Sequence, residues 1–405
     1  MEDRLFFEFI QVAVGNRKSL SAAINDSDWH RLFEFFKKQA LIGVGFSAVE
    51  KLHTQGIACP ANLRMKWMSL ALQIEKRNAL LNEQCSQLAR RYEHDGLSTC
   101  ILKGQGNCLN YPEELRNRRQ CGDIDVWTVC KNGIPIAVQT GKDKAEYVEY
   151  HVRKAVIEYV KMQHRLAGNN EKTVIRYHHI EAPKMDGTEV EVHFRVCYAH
   201  SPLSNRRMQR WFDDHADVCM KNKTHMGFAV PTALVNVVYQ MIHLFSHYFD
   251  EGIGLRQLMD YYFALRVWHN DVMECKDLQS QGMWSEGLGT PVLSKEEVMA
   301  VLRSFGMGKF AGAVMYVLHE VFAISSHYYI CAPNEKEGKK LLEEIMKGGN
   351  FGQYDERGKE LKKGGMVKHG LWKLKRMMQL ISCYPEEALW EPVFRVWHLG
   401  WRLLH

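Results

Sequence analysis

Three acidic side chains in two short stretches are the residues of this chain best placed to do chemistry. Asp123 and Asp125 lie in CGDIDVWTV, and Glu191 lies in TEVEVHFRV. In both stretches β-branched and aromatic residues alternate with polar ones, which predicts strands. A period of two puts Asp123 and Asp125 on one face, where like charges raise each other's pKa unless a cation lies between them. We therefore interpret this pair as half of a divalent-metal site.

The segment LKGQGNCLNYP, just before the acidic pair, predicts a strand that runs into a glycine turn and then a short helix. The turn holds Lys103, Gly104 and Gly106. Glycines after a strand let backbone amides approach a phosphate, and the start of the helix adds positive potential. Such a turn is more often only a tight turn. Here arginines, the last of them Arg119, separate it from the D-x-D strand, and this combination is what a nucleoside triphosphate site needs.

Other polar residues on the predicted strands leave alternatives open. Glu189 shares a face with Glu191 and is the alternative third acid. His193 lies there too, either as a base or substrate contact or as a histidine whose hydrogen bonds are satisfied in the fold. His178 and His179 stand side by side on the preceding predicted strand, so that one points inward and the other outward.

Two pairs four residues apart lie on predicted helices, a spacing that places both members on one face. His243 and His247 lack the glutamate of the H-E-x-x-H zinc motif, so we favour a cleft-lining role over a zinc site. Arg256 and Asp260 can pair with each other on the helix surface.

The elements that carry these residues form three regions. Helical periodicity fills residues 1–95, short strands and one amphipathic helix fill 96–200, and helices return over 201–405. Within the middle region, Asp186 and Gly187 in KMDGT predict a hairpin turn between the last two strands. The closing segment PEEALWEPVFRVWHLGWRLLH predicts another helix.

Composition bounds the possible classes of protein. Of the 405 residues 46% are hydrophobic and 25% charged, and no stretch approaches the roughly 20 apolar residues of a membrane span. With no visible leader and eleven cysteines in no C-x-x-C pattern, we expect a cytoplasmic protein with reduced thiols.

The net charge of +6 is partly due to lysines and arginines between 339 and 376. We interpret that segment as a solvated face and linker, so nucleic acid is a possible partner but not favoured.

The order of these motifs resembles one known family. The run K-G-x-G, YP, R-x-x-G-D-I-D and then E-V-H-F-R is similar to the uncharacterised nucleotidyltransferase family of the DNA polymerase β-like superfamily. The helical segment HLFSHYFDEGIGLRQLMDYY is also similar, and the resemblance is firmest from 98 to 270. It implies an α+β fold in which a small polymerase β-like α/β core with a mixed sheet is embedded between mainly helical regions.

The resemblance also implies roles for individual residues. Asp123 and Asp125 would hold two divalent ions, Mg²⁺ or Mn²⁺, and Glu191 would complete the catalytic site. The glycine motif would bind the triphosphate, although Gln105 stands where the superfamily usually has serine or glycine. The nucleotide-binding residues would be Lys103, Gly104, Gly106, Arg119, Arg195 and Arg256, and possible substrate contacts would be His193, His243, His247 and Asp260.

These expectations lead to a metal-dependent nucleotidyltransferase that moves a nucleoside monophosphate from an NTP to a hydroxyl of an unknown acceptor. Two alternatives stay open at the level of sequence. One is a catalytically silent nucleotide-binding or scaffolding protein with the same fold. The other is a toxin-like enzyme that modifies tRNA or protein.

Overall fold

The structure is a computed structural model that describes residues 2–130, 149–168, 173–280, 293–355, 378 and 380–404. Residues 356–377, which include most of the segment interpreted as a linker, lie outside the described residues. Residues 131–148, between the two acidic strands, and residues 281–292 also lie outside them.

Four helices precede the sheet. The helical periodicity predicted for residues 1–95 is confirmed, and the last of these helices has 34 residues. The periodic stretch before it forms two helices, because the chain turns at Ala40, whose φ of 54° is incompatible with a continuous helix. The four helices are α1 (Glu2–Ala13), α2 (Asp26–Lys38), α3 (Ile42–His53) and α4 (Ala61–His94).

The sheet has four strands in the order β1-β2-β4-β3. Strand β2 pairs antiparallel with β1 and parallel with β4, while β3 and β4 form an antiparallel hairpin. The predicted turn is confirmed: Asp186 and Gly187 both have positive φ, 46° and 81°, as a tight two-residue hairpin requires. The strands are β1 (Leu97–Ile101), β2 (Ile124–Cys130), β3 (His179–Met185) and β4 (Thr188–His193).

Three helices among the described residues connect these strands. Two of them are single turns, α5 (Gln105–Cys108) and α6 (Glu113–Arg116), and lie between β1 and β2. The third, α7 (Glu149–Leu166), lies between β2 and β3 and packs on both. Parallel strands need such a crossover, which explains the long sequence separation between the two acidic strands.

Helices follow the sheet, as predicted. Thr232 caps the helix that holds His243 and His247, its side chain accepting a hydrogen bond from the backbone N–H of Val235. The elements are α8 (Pro202–Lys221), α9 (Ala233–Asp250), α10 (Leu255–Ser280), α11 (Lys295–Ser304), α12 (Gly308–Phe322), α13 (Glu335–Gly348), α14 (Pro385–Leu404) and two short 3-10 helices, Ser326–Tyr328 and Asn350–Gly352.

Buried apolar side chains form two clusters. The larger joins the helices before the sheet to those after it, and the smaller lies between the sheet, α7 and the C-terminal half of α4. The mixed sheet among these helices confirms the predicted α+β class, while the domain limits at 95 and 200 stay predictions. Among the described residues, no helix combines the length and the apolar character that crossing a bilayer requires.

Candidate active site

Two of the predicted acids lie directly opposite each other in the sheet. In the parallel pairing of β2 with β4, Asp125 is the partner of Glu191. Asp123 lies immediately before β2 and is exposed, whereas Asp125 is buried. The strand alternation that the sequence showed therefore does bring acids of two distant segments to one face of the sheet.

Asp125 is held by two cationic or protonatable neighbours. The Lys103 Nζ lies 2.8 Å from its Oδ1, and the His193 Nε2 lies 3.1 Å from the same oxygen. Burial favours the neutral acid, but Lys103 and His193 outweigh that effect and hold the pKa of Asp125 well below its usual value. Asp125 is therefore ionised at neutral pH.

The pKa of Asp123 is shifted in the opposite direction from that of Asp125. The charge of Asp125 raises the pKa of Asp123 above its ordinary value. The two aspartates therefore repel each other, and a bound divalent ion would relieve this repulsion. Oxygen donors from carboxylates are also the ligands that Mg²⁺ prefers.

Glu191 is half-buried and faces two histidines. Its Oε2 lies 3.6 Å from the His193 Nε2 and 3.5 Å from the His179 Nδ1. Burial works against ionisation, but the hydrogen bond with His193 lowers the pKa of Glu191 overall. The alternative third acid, Glu189, is exposed and pairs with Lys184 outside the cleft, so the geometry favours Glu191.

His193 is fully enclosed between the two acids. Burial disfavours its charged form, but hydrogen bonding to Asp125 and Glu191 raises the pKa of His193 above its usual value. Its contacts explain why a histidine occupies this strand position.

The glycine turn packs against the acidic strand. Gly104 has φ 53° and ψ −109°, a conformation that only glycine adopts without strain, and a Cβ there would lie 3.4 Å from the Asp123 carbonyl oxygen. A Cβ on Gly106 would lie 2.6 Å from the Ile101 carbonyl oxygen. Gly104 lines the cleft, whereas Gly106 serves the close packing of α5 on β1.

Gln105 has a structural role that accounts for the departure from the superfamily pattern. Its side-chain amide donates to the Asn78 carbonyl at 2.8 Å and to Asn82 Oδ1 at 2.6 Å. The side chain is buried and anchors the turn to α4. Contacts from this turn to a phosphate would therefore come from its backbone.

Arg119 and Asp260 form a buried bidentate ion pair. The guanidinium donates at 2.6 and 2.7 Å, and the Tyr111 hydroxyl donates to the same carboxylate at 2.7 Å. The expected surface pair of Arg256 with Asp260 is wrong, because Asp260 is buried and its partner comes from the loop before β2. Arg119 lines the cleft, but Asp260 already neutralises its charge.

The other two predicted arginines differ in position. Arg256 lines the cleft, donates to the Gln120 carbonyl at 2.7 Å and has a buried Nε without a hydrogen-bond partner among the described residues. Burial and the nearby Arg119 lower the pKa of Arg256. Arg195 donates to the Tyr177 carbonyl at 2.6 Å and covers the ring of that tyrosine, and it is not among the cleft-lining residues of the described chain.

His243 and His247 both line the cleft on α9. Their ring centroids are 4.3 Å apart, and the His247 Nδ1 lies 3.6 Å from the Glu251 carboxylate. Burial and the neighbouring His247 hold the pKa of His243 well below its usual value. This position agrees with the predicted cleft-lining role.

The expectation that one of His178 and His179 points outward is wrong. Strand β3 begins at His179, so His178 precedes the alternating segment, and both rings line the cleft. Burial, followed by the neighbouring histidines, holds the pKa of His178 well below its usual value and lowers that of His179 to about 4.

The cleft has a volume of about 1180 Å³ and lies between the sheet and helices α9, α10 and α14. Helix α14 contributes Phe394, Arg395 and His398. It is fixed to the rest of the protein by Glu387, which lies 2.8 Å from the His200 Nδ1. Nothing in the sequence signalled this contribution, because α14 lies about two hundred residues from β4 and carries no chemical motif.

Possible ligand atoms converge in two overlapping groups. Among the described residues, sets of three ligand atoms within 4.8 Å of one another are formed by Asp125, Glu191 and His193, and by His178, His179 and His193. Asp123 belongs to neither set, and neither do the two histidines on α9. Asp123 would therefore have to change its side-chain position to share an ion with Asp125 and Glu191.

The comparison with known families agrees with this architecture. Residues 25–282 match the family described as uncharacterised nucleotidyltransferase. Because this match covers more than half of the chain, the protein belongs to that family, and nucleotidyl transfer is the general activity that the family name gives. No curated protein and no solved structure matches the chain.

Proposed function

We propose that the protein is a metal-dependent nucleotidyltransferase that transfers a nucleoside monophosphate from an NTP to a hydroxyl of an acceptor. The pairing of Asp125 with Glu191 on adjacent parallel strands is the observation that carries the proposal. The ten described cysteines are free thiols, which fits a reducing compartment such as the cytoplasm.

The acids would hold the metal ions. Asp125 and Glu191 are ionised at neutral pH, and the charge of Asp125 raises the pKa of Asp123. Mg²⁺ or Mn²⁺ held by these three carboxylates would stabilise the charge that develops on the attacking and leaving oxygens.

The neighbouring groups would bind the triphosphate. The backbone around Gly104 is free of a side chain where it faces the cleft, so phosphate oxygens can approach its amides. Lys103 already lies beside Asp125 and can also contact phosphate. Arg256 carries a charge that no carboxylate neutralises within 4.0 Å among the described residues, so it is the strongest candidate for a phosphate contact from the helical region.

Glu191 would act on the acceptor. Its side chain is 29% exposed, so an acceptor hydroxyl can reach it from the cleft. As an ionised carboxylate it can accept the hydroxyl proton when the oxygen attacks the α-phosphate, while the bond to the β-phosphate breaks and pyrophosphate leaves. His193 positions this carboxylate and balances its charge. His243, His247 and the neutralised Arg119–Asp260 pair would shape the wall that the acceptor contacts.

Transfer of label from NTPs that carry it on the α-phosphate tests the proposal. Wild-type protein, Mg²⁺ and a cell extract should give a labelled acceptor, and a chelator should abolish labelling until Mg²⁺ or Mn²⁺ is restored. Asp125→Asn should abolish it as well. Asp186→Asn is the matched control, since Asp186 lies at the exposed hairpin turn, where asparagine also tolerates positive φ.

Two results would contradict the proposal. One is NTP binding by the wild type without transfer to any acceptor, which would fit a catalytically silent nucleotide-binding protein. The other is an Asp125→Asn variant that folds and transfers label as well as the wild type.

A further inference from the structure

A second group of possible metal ligands lies beside the acids, and two of its three members have no role in the proposed reaction. It consists of His178, His179 and His193, called the imidazole cluster below. His179 and His193 are cross-strand partners at the ends of β3 and β4, and His178 directly precedes β3. Their ring centroids are 4.5 to 5.3 Å apart. One nitrogen from each ring lies within 4.8 Å of the others.

The spacing of these nitrogens suits a shared ion. The His179 Nδ1 and the His178 Nε2 are 3.0 Å apart. An ion with bonds of roughly 2.0–2.1 Å separates its ligand atoms by about 2.9 Å in octahedral and about 3.3 Å in tetrahedral geometry. The Oε2 of Glu191 lies 3.5 Å from the His179 Nδ1, so it adds an oxygen at a similar distance.

Hydrogen bonding alone does not account for the cluster. The His178 Nδ1 and the His193 Nδ1 are buried and have no hydrogen-bond partner among the described residues. The three imidazoles packed together therefore have more buried nitrogen atoms than they have hydrogen-bond partners among the described residues.

We propose that the imidazole cluster binds one borderline divalent transition-metal ion, of the class of Zn²⁺ and Co²⁺, with Glu191 as its oxygen ligand. Imidazole nitrogen suits these ions, whereas Mg²⁺ selects oxygen. This site differs from the proposed Mg²⁺ site in ligand type, and its histidines come from the start of β3 and the end of β4, whereas the aspartates come from β2 and the residue before it. Glu191 belongs to both, so the two sites are coupled through this carboxylate.

Titration of the full-length, metal-free protein with Co²⁺ in excess Mg²⁺ tests the proposal. One equivalent should bind and give the visible absorption bands of nitrogen-coordinated Co²⁺. His178→Gln and His179→Gln should each weaken binding by about tenfold or more. His215→Gln is the control, because its ring stacks on Trp211 of α8 and lies outside the cluster. Thermal unfolding without metal establishes that each variant is folded.

Asp123→Asn separates the two sites. It should leave Co²⁺ binding unchanged, because Asp123 is a ligand of the proposed Mg²⁺ site and does not belong to the group of converging imidazole nitrogens. If Asp123→Asn abolishes binding while the two histidine variants retain it, the ion lies in the acidic site and the proposal is overturned. Absence of stoichiometric Co²⁺ binding by the wild type also overturns it. Neither readout uses nucleotidyl transfer, so the outcome is independent of the proposed function.

Discussion

Arg119 donates two hydrogen bonds to Asp260, a residue 141 positions away, and both side chains are buried. The pair joins the loop before the acidic strand to helix α10 across the floor of the cleft. The pair is therefore one of several contacts, together with the shared apolar cluster, that fix the sheet region relative to the helices.

Removing one charge of this pair should destabilise the protein strongly. Asp260→Asn leaves a buried guanidinium without its counter-charge, and we expect a loss of about 3–5 kcal/mol in the free energy of unfolding. Urea denaturation measures this loss. Glu83→Gln is the matched control, because the Glu83–Arg90 pair is exposed and should contribute about 1 kcal/mol or less. Equal losses in the two variants would show that the buried pair has no special role.

Gly104→Ala should affect stability and nucleotide binding together. A side chain at φ 53° and ψ −109° costs about 1–3 kcal/mol and places a methyl group where the turn faces the cleft. Gly168→Ala is the control, since Gly168 also has positive φ, 68°, but no atom lies within 4 Å of its added Cβ. Both variants should unfold at lower urea concentration, and only Gly104→Ala should weaken NTP affinity. Wild-type NTP affinity in Gly104→Ala would show that this turn does not contribute to the nucleotide site.

Arg256 and Arg195 give a second matched pair. Arg256→Gln should raise the Kd for NTP about 10- to 100-fold, the loss expected for one hydrogen bond to a charged group. Arg195→Gln should leave the Kd at its wild-type value, because Arg195 is not among the described residues that line the cleft. Calorimetric titration with NTP measures both values. A larger increase in Kd for Arg195→Gln than for Arg256→Gln would support the nucleotide-binding role that family resemblance implies for Arg195.

The contact of His200 with Glu387 should make the docking of α14 depend on pH. Burial disfavours protonation, but Glu387 raises the pKa of His200 above its ordinary value of 6.5. The folded state then binds the proton more tightly than the unfolded state. The stabilisation is therefore complete below pH 6.5 and is lost as pH rises through the higher folded pKa.

This dependence can be measured as the difference in unfolding free energy between wild type and His200→Gln. The difference should be largest at acidic pH and should shrink as the pH is raised. Tryptophans on α14, at positions 390 and 397, provide a fluorescence signal for its release. A difference that grows with rising pH would show that the neutral histidine is the stabilising form.

Local features were predictable because they depend on neighbours in sequence. The period of two located β2 and β4, and Asp186 with Gly187 defined the hairpin, since both signals arise within a few residues. Family resemblance then suggested that Glu191 meets the aspartates. The exposed position of Glu189 could not be read from the pattern, because strand alternation alone places it on the same face.

Partners distant in sequence were not predictable. Asp260 pairs with Arg119 rather than with Arg256 because the packing of α10 against the loop decides which charge is near. The contribution of α14 to the cleft depends on tertiary contacts such as that of Glu387 with His200. His178 and His179 both enter the cleft because β3 begins one residue later than alternation suggested.

The most direct test of the central claim compares two glutamates two positions apart on β4. Glu191 lies opposite Asp125, whereas Glu189 is exposed and paired with Lys184. The measurement is the rate at which α-phosphate label passes from NTP to acceptor. Glu191→Gln should abolish transfer, while Glu189→Gln should retain the wild-type rate. A folded Glu191→Gln variant that transfers label at the wild-type rate would contradict the central claim.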